Sequence, residues 1–178
     1  AVELEPVNYL CNRAYWFWQY KNYQLCIRDL ETYYALPNAY LQFTPGGEKN
    51  MKLILGMAYA KIGDYENAVK TVEKHLETYE SQGEFGYSDY HTLGMLYVFS
   101  KQYAQAIEVF EKQFSVIDDI AGSYYYLGLA HKGKGDFELA KIQFEKALSL
   151  FKSGKRFRIP NPGFPVYLID VEKELEAF

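Results

Sequence analysis

The sequence has few of the residues that mark a disulfide scaffold, a metal centre or a membrane protein. Its 178 residues include two cysteines, which is too few for a disulfide framework. It has three histidines, no two of them four residues apart, and it has no Cys-x-x-Cys motif, so the usual spacings of a metal site are missing. No apolar run reaches the roughly 18 residues that a membrane-spanning helix needs. We therefore expect no metal, no cofactor and no membrane span.

The net charge of the chain is also small. Nineteen basic residues stand against 23 acidic ones, which gives a net charge of −4. General nucleic-acid binders are usually basic, so we expect no nucleic-acid partner. Reduced, buried cysteines favour the cytoplasm slightly. The chain starts at Ala1 and not at a methionine, however, which also fits a processed, exported protein. The compartment stays open.

What the sequence does contain is one motif written three times. Each copy reads Leu-Gly-x-x-Tyr or Leu-Gly-x-x-His, then three residues, a two-residue turn, an aromatic residue, and alanine three positions later. The glycines are Gly56, Gly94 and Gly128. The first step between them is 38 residues and the second is 34. A fixed stride of this length predicts a stack of equivalent structural units.

A fourth, degraded copy precedes these three. Lys21-Asn22-Tyr23-x-x-Cys26 aligns with the turn and second helix of the motif, with Ala14 in the place of the glycine and Phe17 in the place of the tyrosine. A longer link, including Thr44-Pro45-Gly46-Gly47, separates it from the next copy and predicts a loop.

The repeated glycines need a physical reason, because glycine inside a helix costs about 1 kcal/mol relative to alanine. We expect a second helix to approach closely at these positions, and the small Ala68, Ala106 and Ala140 twelve residues later to lie at that contact. Gly-Asp pairs predict the turn between the two helices, with glycine ending the first helix and aspartate capping the second. The middle copy of the three has Lys101-Gln102 there and must turn without glycine.

This pattern resembles the tetratricopeptide repeat, a two-helix unit. The resemblance implies an all-α fold, a right-handed α-solenoid of about four helix-turn-helix units closed by a C-terminal capping helix. We expect one domain over residues 1–178, with repeats at about 7–40, 48–81, 87–117 and 120–152 and the cap at 165–177. Residues 1–6 look like the last half-turn of another repeat, which fits a piece of a longer array. An ordinary N-terminal arm is the alternative.

In this family the first helices of the repeats line a concave groove. The repeat glycine marks the face of the first helix that packs on the second helix, so we expect the groove residues on the opposite face. The residues there are mostly apolar and aromatic, which suits a peptide or a partner helix. The groove residues so predicted are Asn12, Tyr15, Trp18, Leu53, Ile54, Met57, His91, Thr92, Met95, Phe99, Tyr125, Tyr126 and Leu129. Alternatively, the array's own curvature, an N-terminal segment or another subunit covers this face.

We therefore expect a non-catalytic interaction module, a scaffold or adaptor that binds a protein or peptide. The alternatives are a structural self-assembly unit of a larger repeat protein, which makes a homo-oligomer conceivable, and a regulator that senses a short peptide. The groove lacks the cations that hold a carboxylate in co-chaperones of this family, and no nucleophile–base motif indicates an enzyme.

One basic stretch lies between the last repeat and the cap. Lys152, Lys155, Arg156 and Arg158 surround Phe157 and form the best candidate for contact with an anion. The simpler alternative is a solvated loop whose cations lie near a helix C-terminus, where the helix dipole favours them.

Overall fold

The computed structural model describes residues 6–37, 39–40, 42–47, 49–82, 86, 88–153 and 163–178. Within these ranges the chain forms nine α-helices, and the predicted all-α repeat fold is confirmed. The chain divides into two compact units, Ala1–Gly86 and Tyr87–Phe178, and each is described by itself. Whether the repeats make a single domain stays a prediction.

The first unit contains two helix pairs. The helices are α1 (Pro6–Gln19), α2 (Tyr23–Tyr34), α3 (Met51–Lys61) and α4 (Tyr65–Gln82). In the first pair, Asp29 of α2 is buried and accepts two hydrogen bonds from Arg13 of α1, at 2.5 and 2.9 Å. Cys11 and Cys26 are both buried and free, as expected from the sequence. The predicted loop between α2 and α3 is present, and the Asn50 side chain caps α3 by accepting from the Lys52 amide at 2.8 Å.

The second unit contains two further pairs and the cap. Its helices are α5 (Asp89–Phe99), α6 (Tyr103–Val116), α7 (Ala121–Lys134), α8 (Phe137–Lys152) and α9 (Leu168–Glu176). The cap, α9, buries Val171 against Ala140, Phe144 and Ala147 of α8. The helix begins at Leu168, and Tyr167 directly before it is exposed.

All four pairs turn in the same way. The turn residues Lys21, Gly63, Lys101 and Gly135 have φ between 59° and 89°, the left-handed region that glycine favours. In each turn the next amide donates to the carbonyl of Phe17, Tyr59, Tyr97 or His131, at 2.8 to 3.0 Å. This is the Schellman pattern of a helix C-terminus. The turn without glycine at Lys101 is therefore made by a lysine in the left-handed conformation, and the degraded first copy turns in the same way.

The aspartate caps were predicted correctly in one of two cases. Asp64 accepts from the Asn67 amide at 3.1 Å and caps α4. Asp136 makes no such bond with α8. Its carboxylate lies instead 3.7 Å from the His131 ring and 3.8 Å from the Lys134 ammonium group.

Two of the repeated glycines, Gly94 and Gly128, meet the second helix at a phenylalanine and not at an alanine. A β-carbon on Gly94 would lie 2.7 Å from the ring of Phe110, and one on Gly128 would lie 2.6 Å from the ring of Phe144. Both distances are far shorter than van der Waals contact. The alanines one turn earlier are buried too, but the glycine is needed because of the aromatic ring.

Candidate partner-binding face

Three residues predicted for the groove come together in the second unit, where α5 lies beside α7. The rings of Phe99 and Tyr126 meet edge to face with centroids 5.7 Å apart, and the His91 ring is 5.9 Å from that of Tyr126. Gly122, in the first turn of α7, lies next to the His91 ring: a β-carbon there would be 3.3 Å from its Cε1 atom. We call the surface formed by His91, Phe99, Gly122 and Tyr126 the inner face.

The chain itself lies across this face. Residues 163–167, which we call the strap, precede the cap α9. The Phe164 ring packs on Phe99 with centroids 4.9 Å apart, and the Tyr126 hydroxyl donates to the Phe164 carbonyl at 3.3 Å. Val166 lies over Gly122, 3.8 Å from where a β-carbon would be. The strap therefore runs antiparallel to α7 and covers the face in the described conformation.

A buried polar network joins His91 of the inner face to the neighbouring helices. The His91 amide donates to the Gln113 side chain at 2.9 Å, and the His91 Nδ1 atom is 2.8 Å from the Ser123 hydroxyl. Gln113 lies in α6 and thereby satisfies an amide in the first turn of α5, where no intrahelical partner exists. Gln113 and Ser123 are fully buried and His91 is only 5% exposed. The network therefore fixes the spacing of α5, α6 and α7.

The Tyr126 hydroxyl is a hydrogen-bond donor on this face. Burial raises the pKa of Tyr126, with smaller contributions from Tyr125 and Asp170. The hydroxyl therefore stays protonated over the whole physiological range and can donate to a carbonyl oxygen. It supplies a polar contact on a surface that is otherwise aromatic.

The three successive tyrosines of α7 go to three different neighbours. Tyr124 stacks on Phe114 of α6 with centroids 4.3 Å apart, and Tyr126 lies under the strap. Tyr125 packs instead against Phe144 and the cap, as does Leu129. Burial raises the pKa of Tyr125 to about 12, with Glu174 and Asp170 of the cap adding to the effect. Tyr125 and Leu129 were both predicted for the groove, and here they pack against the apolar cluster that α8 and α9 form.

Two other predicted groove residues of the second unit have no exposed surface. Thr92 and Met95 are fully buried, and the Thr92 hydroxyl donates to the Ser88 carbonyl at 2.9 Å. Side chains in this position support α5 and offer nothing to a partner in this conformation. Their role in binding stays a prediction.

The predicted residues of the first unit show the same mixture. Asn12 is exposed and Tyr15 is half-buried. The remaining four are buried, namely Trp18, Leu53, Ile54 and Met57. Partner contact through this set also stays a prediction.

The basic stretch is described only at its first residue. Lys152 is exposed at the end of α8. Lys155, Arg156 and Arg158 lie outside the described residues, so contact with an anion stays a prediction.

The sequence did not indicate the strap as part of the site. Residues 165–167 were predicted as the start of the cap, and residues 163–164 follow the proline-rich segment that precedes it. One signal was available: Phe164 precedes Pro165, and a residue before proline favours an extended conformation. Which surface such a segment covers depends on long-range packing, which no local pattern encodes.

Within the described ranges no group of three or more His, Cys, Asp or Glu side chains is placed to hold a metal ion. In the same part of the chain no helix is both long and apolar enough to cross a membrane.

The helix pairs and the turn that they share define a helical repeat protein. Three models of the tetratricopeptide repeat match residues 53–84, 90–119 and 121–153, more than half of the chain. The protein belongs to the tetratricopeptide repeat family, whose members bind proteins and peptides. None of the curated proteins matches the sequence.

Solved structures share this fold. MamA from Desulfovibrio magneticus RS-1 is 19% identical, with a TM-score of 0.67 over 97% of this chain and 89% of its own. Another MamA crystal structure is 22% identical, with a TM-score of 0.67 over 86% and 84%. A third structure shows nearly identical TPR-like repeats of a Podosopora anserina kinesin light chain. Its sequence is 18% identical to this chain, and the TM-score is 0.66 over 97% of this chain and 84% of its own. At these identities the likeness concerns the fold alone.

Proposed function

We propose that this protein is a non-catalytic interaction module, a scaffold or adaptor, that holds an extended segment of a partner against the inner face. The observation that carries the proposal is the seat of the strap. An extended segment already lies there, with a ring on Phe99 and a carbonyl on the Tyr126 hydroxyl. These are the contacts with which apolar grooves hold peptides: an aromatic anchor and a main-chain hydrogen bond.

Burial of the polar groups on this face favours binding over catalysis. A Ser–His pair is a familiar catalytic combination, and the His91 ring is 2.8 Å from the Ser123 hydroxyl. However, Ser123 is fully buried and sits in a structural network with Gln113. A substrate has no access to the hydroxyl in this arrangement, so we assign the pair a structural role.

Cross-linking from the inner face tests the proposal. Peptides are selected on the full chain from a random library, and Phe99 is then replaced by the photoreactive p-benzoylphenylalanine. We expect the selected peptides to cross-link at this position. The control places the same group at Ile142, an exposed residue of α8, and should give no peptide adduct. Adducts at position 142 and none at position 99 would place binding elsewhere and refute the proposal.

Self-assembly is a second candidate function, favoured by an aromatic stripe on α1. Tyr9, Trp16 and Tyr20 are 61%, 59% and 76% exposed, and the rings of Trp16 and Tyr20 stack. Trp16 lies two residues after Ala14. The equivalent residues, two after each repeat glycine, are Ala58, Leu96 and Ala130, and all three are fully buried. This position is thus a packing position in three repeats and an exposed one in the first, which supports contact with another helix.

A further inference from the structure

The strap has the features of a ligand that is part of the chain. It offers an aromatic ring to Phe99, a main-chain carbonyl to Tyr126 and a β-branched side chain to the surface at Gly122. Pro165 between them fixes one backbone dihedral angle and holds its predecessor extended. A partner segment of the same composition would make the same contacts, so the two cannot occupy the inner face together.

We propose that the strap is an autoinhibitory pseudo-ligand, and that the inner face binds a partner segment in which an aromatic residue is followed by proline and a β-branched residue. This inference rests on the proposed function and adds the chemistry of the partner and the means of its control. The partner binds by displacing residues 163–167 from Phe99 and Tyr126. Until it does so, the module is closed.

The contacts that seat the strap are of a kind that a partner segment can replace. They include a tilted ring pair, a hydrogen bond of 3.3 Å between neutral groups, and the approach of Val166 to Gly122. That length exceeds the roughly 2.5–3.0 Å usual for an O–H···O bond, so the bond is weak. Tyr167, at the end of the strap, is exposed. Phe164 and Val166 are half-buried, and Val166 also packs at the edge of the apolar cluster around Val171.

The cap shares Tyr167 with the strap, since the Tyr167 amide donates to Asp170 at 2.8 Å at the start of α9, but it has further contacts with α7 and α8 that the strap does not make. Val171 is fully buried against α8, and Glu174 accepts from the Lys132 ammonium group at 2.6 Å. The Phe178 ring lies 6.1 Å from that of Phe144. These contacts hold α9 on α8 and α7 while residues 163–167 move. Displacement therefore opens the inner face without opening the repeat stack of the second unit.

The face also explains why the partner should be uncharged and aromatic. It presents Phe99, Tyr126 and the edge of His91, with one hydroxyl donor whose hydrogen-bond partner in the strap is a carbonyl oxygen. A charged side chain at the position of Phe164 would lose water without gaining an ion pair. At Gly122 the β-branched side chain of Val166 lies 3.8 Å from where a β-carbon would be, which is an ordinary van der Waals contact.

A labelled copy of the strap tests this inference. The probe is the synthetic amide of Gly-Phe-Pro-Val-Tyr, carrying a fluorophore, and its Kd is measured by anisotropy with the full chain. In Phe164→Ala the internal ring is gone while the inner face is intact. If the strap occupies the inner face about 99% of the time, competition from the strap weakens the apparent affinity of the wild type for the probe about 100-fold. We therefore expect the probe to bind Phe164→Ala at least tenfold more tightly than the wild type.

Two further variants complete the experiment. Pro165→Gly loosens the strap at an exposed residue, keeps the ring and should strengthen probe binding by a smaller factor, about threefold. Pro165→Gly takes the place of Phe164→Ala in the comparison with the wild type if Phe164→Ala fails to fold. Ile169→Ala, at an exposed position of the cap, is the matched control and should bind the probe like the wild type.

The outcomes separate the two proposals. Equal Kd values for the wild type, Phe164→Ala and Pro165→Gly would overturn autoinhibition and leave the proposed function standing, since the probe then binds without competition. Failure of the probe to bind any variant would also overturn this inference, because the inner face then does not accept the predicted chemistry. The proposed function is decided separately, by the cross-links of selected peptides to position 99.

Discussion

The ring of Phe144 fills the space that a side chain on residue 128 would take. The nearest ring atom, Cε1, lies 2.6 Å from the position of a β-carbon, and two more ring atoms lie within 2.9 Å. Phe144 is fully buried, so the ring cannot turn away into solvent. Gly128 is therefore a packing requirement of the α7–α8 pair.

We predict that Gly128→Ala destabilises the protein by about 2 kcal/mol. Overpacking a core costs about 1–3 kcal/mol, while alanine in place of a helical glycine returns about 1 kcal/mol. The rigid, enclosed ring places the overpacking cost near its upper limit. Urea denaturation followed by circular dichroism measures the difference.

The control for this prediction is a double-mutant cycle with Phe144→Leu. The smaller side chain leaves room for the β-carbon, so adding Gly128→Ala to Phe144→Leu should cost much less than in the wild type. Additive costs would mean that Gly128 does not act through the Phe144 ring.

A second prediction concerns the turn that lacks glycine. Lys101 has φ +60°, and the left-handed region costs a residue with a side chain about 1–2 kcal/mol. Lys101→Gly removes this cost and loses about 0.5–1 kcal/mol of chain entropy, so we expect a net gain of about 0.5–1 kcal/mol in the free energy of unfolding. Lys70→Gly, at an exposed position inside α4, should instead lose about 1 kcal/mol. A loss in both variants would show that the turn conformation carries no strain.

Repeats, turns and the cap could be predicted from the sequence because each depends on residues close together in the chain. The motif from Gly128 to Ala140 sets two helices and their turn, and the same spacing identified the degraded copy around Lys21. The partner of the repeat glycines was harder to predict. Phe110 and Phe144 lie one turn beyond the alanines, and only the packed helices decide which of these residues the glycine faces.

The candidate site could be predicted only in part, for the same physical reason. The spacing placed Phe99 and Tyr126 correctly on neighbouring first helices. It also placed Tyr125 and Leu129 there, although the cap covers them, and it included Met95, which has no exposed surface. Residues that face the groove, residues that face the cap and residues that are fully buried all lie within one turn of the same helix. The repeat motif does not distinguish between these positions. The strap depends on contacts between residues far apart in sequence, which the motif does not contain.

A third prediction concerns alkaline pH. Burial raises the pKa of the Cys11 and Cys26 thiols from the ordinary value of 9.0 to about 12, and for Cys26 Asp29 adds to the effect. The folded protein thus keeps protons that the unfolded chain loses above pH 9. This contribution to stability is complete below the unfolded pKa and is lost as pH rises toward 12.

Cys26→Ala provides the test of the thiol contribution. The free energy of unfolding, measured at pH 9 and at values rising toward 12, should fall less steeply in the variant than in the wild type, because one titrating thiol is gone. Parallel pH curves would contradict the assignment. Adding Cys11→Ala to Cys26→Ala should make the free energy of unfolding depend still less on pH over this range.

A fourth prediction tests the aromatic stripe of α1. If Tyr9, Trp16 and Tyr20 pack on another copy, the chain forms an oligomer whose mass depends on concentration, and Trp16→Glu dissociates it by placing a charge in an apolar contact. Size-exclusion chromatography with light scattering measures the mass. Gln24→Glu, which adds the same single negative charge at an exposed position of α2, is the control. A wild type that stays monomeric at all concentrations would remove self-assembly through this stripe.

The most direct test of the central claim, that the inner face holds an extended segment, is an NMR measurement on selectively labelled phenylalanine. The rings of Phe99 and Phe164 have centroids 4.9 Å apart, close enough for a nuclear Overhauser cross-peak. We predict this cross-peak in the free protein. On saturation with the strap peptide it should disappear and be replaced by one between Phe99 and the ring of the peptide. Its absence from the free protein, or its persistence while the peptide is bound, would contradict the account.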